Sequence, residues 1–320
     1  MSKLLRYVLF SVLATSVASM AAWGQGGVVN STKNPLQIAT LHWYAANQTT
    51  AFGVGPFPQG ATFDGVNLWV ANVTDNTVTK LRANDGAVLG TFAVGQYPDA
   101  VVSDGGNVWV ANSNDSAVTK LRASDGAVLG TFPTGQGPNG MAFDGTNIWV
   151  ANSSGNSVTK LRAADGAVVG TFAVGQYPTH IAFDGTNIWV TNTSGNSVTK
   201  LRGSDGTVLG TYIVGTNPRG VAFDGEAMWV AVSSTNKVVK LRLKDGALLG
   251  SFNVGSVPYG VVFDGANIWV VNFASSNVTK LAANGSILGT FNVGQGPEDA
   301  AFDGANVWVV NVDDGTASKL

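Results

Sequence analysis

In the repeated part of this chain, apolar and β-branched residues come in short runs with no helical period. From Pro178 to Gly215 the runs "HIAF", "IWVTN", "SVTKLR" and "TVLGTYIVG" are separated by Asp-Gly, Ser-Gly-Asn and Asp-Gly. Such runs read as strands and each break suits a tight hairpin, so the segment predicts four short antiparallel strands.

The same layout recurs. The triplet Phe-Asp-Gly or its variant starts at Phe63, Ser103, Phe143, Phe183, Phe223, Phe263 and Phe302, a period of 40 residues with one 39-residue step. The short step falls in "LAANGSILG", where the turn Asp-Gly has become Asn284-Gly285. A tryptophan follows six residues after each start, from Trp69 to Trp308. Self-similarity on this scale marks a repeat architecture, either an open β-solenoid or a closed propeller. The chain ends separate the two. The seventh repeat stops at Leu320 before its fourth strand, while "TTAFGVG" at 49–55 is a fourth strand with no repeat in front of it. A ring whose last blade is completed by the N-terminal strand accounts for both and hides two sheet edges. The expectation is an all-β, seven-bladed β-propeller over residues 49–320, with four antiparallel strands per blade.

Most repeated residues read as scaffold. One tryptophan per blade at a fixed strand position is what blade-to-blade packing requires. Asn72, Asn112, Asn152, Asn192, Asn272 and Asn311, with Val232 as the exception, are expected to bond the turn backbone that follows them. The Asp-Gly pairs from Asp64 to Asp303 read as hairpin turns and not as metal ligands, since no second carboxylate accompanies them at useful spacing. Lys80 and Arg82 of the recurring "TKLR" are expected on a solvated strand, their stems laid over apolar neighbours.

The informative positions are those that escape the repeat. They cluster around the proline before each first strand: "PFPQG", "QYPDA", "QGPNG", "QYPTH", "TNPRG", "SVPYG" and "QGPED". With the first strand innermost, this loop lies at the mouth of the central channel. In blade order the variable residues are Gln59, Asp99, Asn139, Thr179 with His180, Arg219, Tyr259, and Glu298 with Asp299. Glu298, Asp299 and Asp99 flank Gln59 on one arc, with His180 and Arg219 across from them. That ring suits a small polar or zwitterionic ligand, or a partner's loop, and these nine residues are the expected ligand-binding set.

"IWVTN" at 188–192, "WVAN" in three other blades, the following "SVTKL" and a "P-x-G-x-A-F-D-G" step resemble the YVTN-type secreted β-propeller repeats and their relatives, the NHL-type and streptogramin lyase-like propellers. The resemblance covers about residues 49–320 and implies fold more than function, because those families include cell-surface proteins, binding proteins and some enzymes. The lyase relatives are expected to use histidine and glutamate side chains with a magnesium ion on the channel face. Here the chain has two histidines, His42 and His180, and two glutamates, of which Glu226 sits in the turn after Asp224-Gly225, on the opposite face from His180 and Glu298. No catalytic residue, metal ligand or cofactor is therefore assigned. A non-enzymatic binding module is the principal reading; a streptogramin lyase-like enzyme and a structural envelope or surface protein are the alternatives.

Residues 1–24 follow an export pattern: Lys3 and Arg6, the apolar run "YVLFSVLATSVASMAA", and small residues suited to cleavage near Ala21 or Gly24. A periplasmic, secreted or cell-surface protein is expected, with no membrane span in the mature chain. Residues 25–48 read as a lead-in and a short helix opening at Asn34-Pro35 and carrying His42. There are no cysteines, so stability must come from packing. Removing the export segment leaves 16 basic against 20 acidic residues, a balance that argues against a nucleic-acid partner.

Overall fold

The computed structural model describes residues 51–320. The expected export segment and the expected lead-in helix with His42 lie outside the described residues.

The described chain forms seven four-stranded antiparallel sheets, six of them built from consecutive strands. Blade 1 consists of Pro58–Phe63, Asn67–Asn72, Thr77–Arg82 and Val88–Ala93, and the next five repeat that order. Blade 7 takes Pro297–Phe302, Val307–Asn311 and Thr316–Lys319 from the chain's end and its fourth strand, Ala51–Gly53, from the beginning. Ala51, Phe52 and Gly53 pair with Ser318, Ala317 and Thr316, so the ring closes as the chain ends imply. Two 3₁₀ turns, Ser113–Asp115 and Ser233–Thr235, are the helical elements among the described residues.

Successive strand residues point to opposite faces, and in a ring both faces of a blade meet a neighbour. Leu68, Val70 and Leu81 of blade 1 pack against Trp308, Val310 and Ala317 of blade 7. Trp69, Ala71 and Val78 pack against Val101, Val108 and Leu121 of blade 2. The middle strands are consequently buried almost throughout, whereas the outer strands alternate exposed and half-buried positions.

The tryptophans do join the blades, as part of a larger device. Trp69 lies 5.4 Å from the Phe92 ring of its own fourth strand, and its Nε1 donates to Asp64 Oδ2 at 2.7 Å. In blade 7 the borrowed strand supplies the equivalent ring, with Phe52 5.3 Å from Trp308. The Asp of each Asp-Gly turn thus has two roles, since Asp64 Oδ1 also accepts from the backbone N–H groups of Val66 and Asn67.

Two expectations are corrected. Lys80 is buried, 7 % exposed, and not solvated. Its Nζ lies 5.1 Å from the Trp69 ring centroid and donates to the carbonyls of Ala123 and Ser124 in blade 2, at 2.6 and 3.2 Å. The lysine is on the strand face turned to the next blade, and those carbonyls give its charge the partners that burial demands. Arg82, at the strand's end, is solvated as expected and pairs with Asp85 at 2.9 Å. The asparagines bond side chains of the third strand and not the turn backbone that follows, and those of blades 1 to 3 also accept from the loop that enters the blade. Asn72 Oδ1 accepts from Gly55 N at 3.0 Å, and its Nδ2 donates to the Thr77 and Thr79 hydroxyls.

A candidate ligand site in the central channel

A break in strand register places the variable residues. Pro58 pairs with Asn72 and Ala61 with Val70, so Gln59 and Gly60 oppose the single residue Ala71. This is a β-bulge, which re-aims the side chain just after the proline. Register shifts at the same place occur in all seven blades. The residue two after the proline lies against the neighbouring first strand, and a Cβ at Gly60 would stand 2.7 Å from the Asp99 carbonyl oxygen. Glycine therefore fills this place at Gly60, Gly140, Gly220 and Gly260, while Ala100, His180 and Asp299 put a side chain there.

Between the seven first strands lies a cavity of about 460 Å³. Gln59, Asp99, Asn139, His180, Arg219, Tyr259, Glu298 and Asp299 all line it. Thr179 does not: it is buried in the wall, its hydroxyl 2.8 Å from Thr193 Oγ1 and 3.3 Å from Thr191 Oγ1, and His180 stands in the cavity for blade 4. Tyr97 and Tyr177, outside the expected set, also line the cavity. They precede the proline with φ of 57° and 53°, and the signal for them was present, since they vary within the same pentads.

The acidic arc is held from both sides. Asp99 Oδ2 accepts from Asn139 Nδ2 at 3.3 Å, and Asp299 Oδ2 accepts from Ala61 N across the junction of blades 7 and 1, at 3.2 Å. Burial pushes Asp99 up to about 7 against hydrogen bonds from Ser113 and Asn139. Burial likewise raises Asp299 to about 6 against backbone hydrogen bonds from Ala300 and Ala61. Glu298 rises to about 8, chiefly through burial; Arg219 opposes the shift, while Asp99, Asp299 and Asp313 add to it. On the far side the Arg219 guanidinium lies over the Tyr259 ring at 4.2 Å, and Tyr259 packs 5.2 Å from Phe273. Burial and the charge of Arg219 hold His180 down at about 4, which keeps its imidazole neutral at neutral pH. His180 Nδ1 and Arg219 Nε are buried without a hydrogen-bond partner among the described residues.

Glu226 is not part of this constellation; with Asp224 it borders a smaller depression beside Phe263 and Gly265. Among the described residues no group of three or more histidine, cysteine or acidic side chains converges as a metal site, and no helix is long and apolar enough to cross a membrane.

No protein-family model and no curated protein matches this sequence. Solved structures do. A streptogramin B lyase superposes with a TM-score of 0.73 at 20 % identity, covering 84 % of this chain and 95 % of the lyase. Hydrazine synthase of Kuenenia stuttgartiensis gives a TM-score of 0.70 at 18 % identity, over 92 % of this chain and 99 % of the other. A catalytically inactive virginiamycin B lyase from Staphylococcus aureus, solved with quinupristin, gives 0.70 at 18 % identity, over 85 % and 96 %. At these identities the likeness establishes the seven-bladed propeller fold and leaves chemistry to be argued from this chain's own residues.

Proposed function

We propose that this protein is an exported, non-enzymatic propeller that binds a small polar ligand in its central channel. The supporting observation is the contrast between scaffold and rim. Residues that hold the blades together repeat nearly letter for letter, while the bulged residues facing the cavity of about 460 Å³ differ from blade to blade. A cavity of this size with a few convergent polar groups is the usual form of a small-molecule site. The unpartnered Arg219 Nε supplies a donor, and the unpartnered His180 Nδ1 a donor or an acceptor according to its tautomer, that the protein leaves unused. Export rests on the N-terminal pattern, and within propellers the "WVAN" and "IWVTN" strands favour a YVTN-type repeat.

A second reading, a surface protein that docks partners through its blade rims, is favoured by the exposed apolar pairs of the outer strands, such as Val88 with Leu89 and Leu248 with Leu249. A thermal-shift screen separates the two. With amino acids, sugars and short peptides, the channel reading expects at least one compound to raise the melting temperature with concentration in the parent protein and not in an Asp99→Ala/Arg219→Ala variant. Hits that survive in that variant would remove the channel from the account.

A further inference from the structure

We infer that the channel selects a ligand bearing an organic cation, an ammonium or guanidinium group, seated on the arc of Glu298, Asp299, Gln59 and Asp99. The inference rests on the channel being a ligand site and adds the chemistry of what it takes.

Four observations carry it. The acidic side chains are contiguous in the ring, occupying blades 7 and 2 on either side of Gln59 in blade 1. Among the described residues one guanidinium lines the cavity; it lies over the Tyr259 ring at 4.2 Å in blade 6 and forms no ion pair with any of the three carboxylates, although its charge reaches Glu298. These carboxylates do not converge as a metal site, and the cavity of about 460 Å³ is far larger than a bare ion. The opposite wall carries the buried, unpartnered His180 Nδ1 and Arg219 Nε. A ligand spanning the cavity would satisfy both walls, with its cation on the carboxylates and a hydroxyl, carbonyl or carboxylate oxygen facing the nitrogens. Tyr97, close enough to Asp99 and Glu298 to feel their charge, lines the same cavity and adds an aromatic ring beside the arc.

Binding of such a group is coupled to protons. The groups facing the arc are Tyr97 in blade 2, Tyr177 and His180 in blade 4, Arg219 in blade 5, Tyr259 in blade 6 and Asp313 in blade 7. Burial raises Tyr97 and Tyr259 above their ordinary value near 10, and His180 sits at about 4, so the changes of charge between those limits belong to Asp99, Glu298 and Asp299, at about 7, 8 and 6. A bound cation favours the ionised carboxylates, so it drives protons out and binds more tightly as pH rises.

The test is calorimetric titration of the full chain with three probes of matched length: 5-amino-1-pentanol as cation, 1,5-pentanediol as neutral isostere and glutarate as dianion. The aminoalcohol is expected to bind at least about tenfold more tightly than the diol, to gain about tenfold between pH 5.5 and 8.5, and to release protons, read from two buffers of different ionisation enthalpy. Asp99→Asn/Glu298→Gln, which keeps side-chain volume and removes two ionisable carboxyls from the arc, is expected to abolish that preference while melting cooperatively. Preference for glutarate or the diol, lost in Arg219→Ala, would overturn the cation and leave the channel standing. Aminoalcohol binding unchanged in the double variant would overturn both the cation inference and the channel. No binding of any probe up to about 10 mM would overturn the cation inference.

Discussion

Lys319 Nζ donates to the carbonyl of Ala83 at 2.7 Å, joining residues 236 positions apart. The contact closes the ring, and it is the same contact that Lys120 makes with Ala163 and Lys160 with Gly203, each at 2.7 Å between consecutive blades. Each ammonium also stands over its blade's tryptophan, 5.1 Å from the ring centroid for Lys319 and Trp308. Covalently continuous junctions and the non-covalent closure thus use a single device.

Lys319→Met is expected to cost about 1.5–3 kcal/mol, the range for a hydrogen bond to a charged group, because it leaves the Ala83 and Asn84 carbonyls without their donor. Lys280→Met should cost less. Lys280 donates to no carbonyl among the described residues and instead reaches Asp264 Oδ2 at 3.6 Å with its side chain 26 % exposed. Urea unfolding of both variants checks the order.

Acid should loosen the blades through their turn aspartates. For Asp104, Asp144, Asp224, Asp264 and Asp303 burial is the largest influence and works upward, but hydrogen bonds from the tryptophan Nε1 and from turn N–H groups outweigh it and hold each below the ordinary value. A carboxyl lowered in the folded state contributes stability that is present above its unfolded value near 4 and is lost as pH falls through the folded value. Trp149→Phe removes the donor 2.7 Å from Asp144 Oδ2 and is expected to cost about 1–3 kcal/mol at neutral pH and less at pH 2. Melting curves between those limits test it.

The channel carboxylates act in the opposite sense. Glu298 is raised in the fold to about 8, so its neutral form is the one the fold favours. Its contribution is intact below the unfolded value near 4 and is lost as pH rises through about 8. Glu298→Gln is expected to melt higher than the parent at pH 9 and to match it at pH 4. A parallel pH dependence in the two proteins would contradict this.

Gly126 and Gly65 distinguish backbone strain from packing. Both have positive φ, at 75° and 97°, but a Cβ on Gly65 meets open space while one on Gly126 would enter the Phe92 ring of the preceding blade. Alanine at either position carries the conformational penalty. Gly126→Ala should cost about 1–3 kcal/mol more, from the displaced ring. Equal losses would show that Phe92 moves aside freely.

Blade number, strand order and ring closure were legible because they depend on spacing alone: the period, the Asp-Gly turns, and the unpaired fourth strand around Phe52. The burial of Lys80 was not legible. Its acceptors lie 43 and 44 residues away in another blade, and a strand pattern with lysine two residues before arginine looks the same whether the first is sandwiched or wet. The Asn72 partner was missed for a related reason, since Gly55 lies 17 residues upstream across the loop that enters the blade. In the channel, variation around the proline identified the wall residues, but the choice between Thr179 and His180 turned on the Thr191 and Thr193 hydroxyls, which hold the first in the wall and leave the second in the cavity.

The most direct test of the channel as the functional site is peptide-resolved hydrogen exchange of the full chain, with and without a compound that raises its melting temperature. The account predicts that slowed exchange concentrates in the first strands and the loops ahead of them, at 96–103, 176–183, 217–223 and 295–302, on both sides of the cavity. Slowing confined to the outer strands, such as Val88–Ala93 and Leu248–Asn253, with the first strands unchanged, would contradict it.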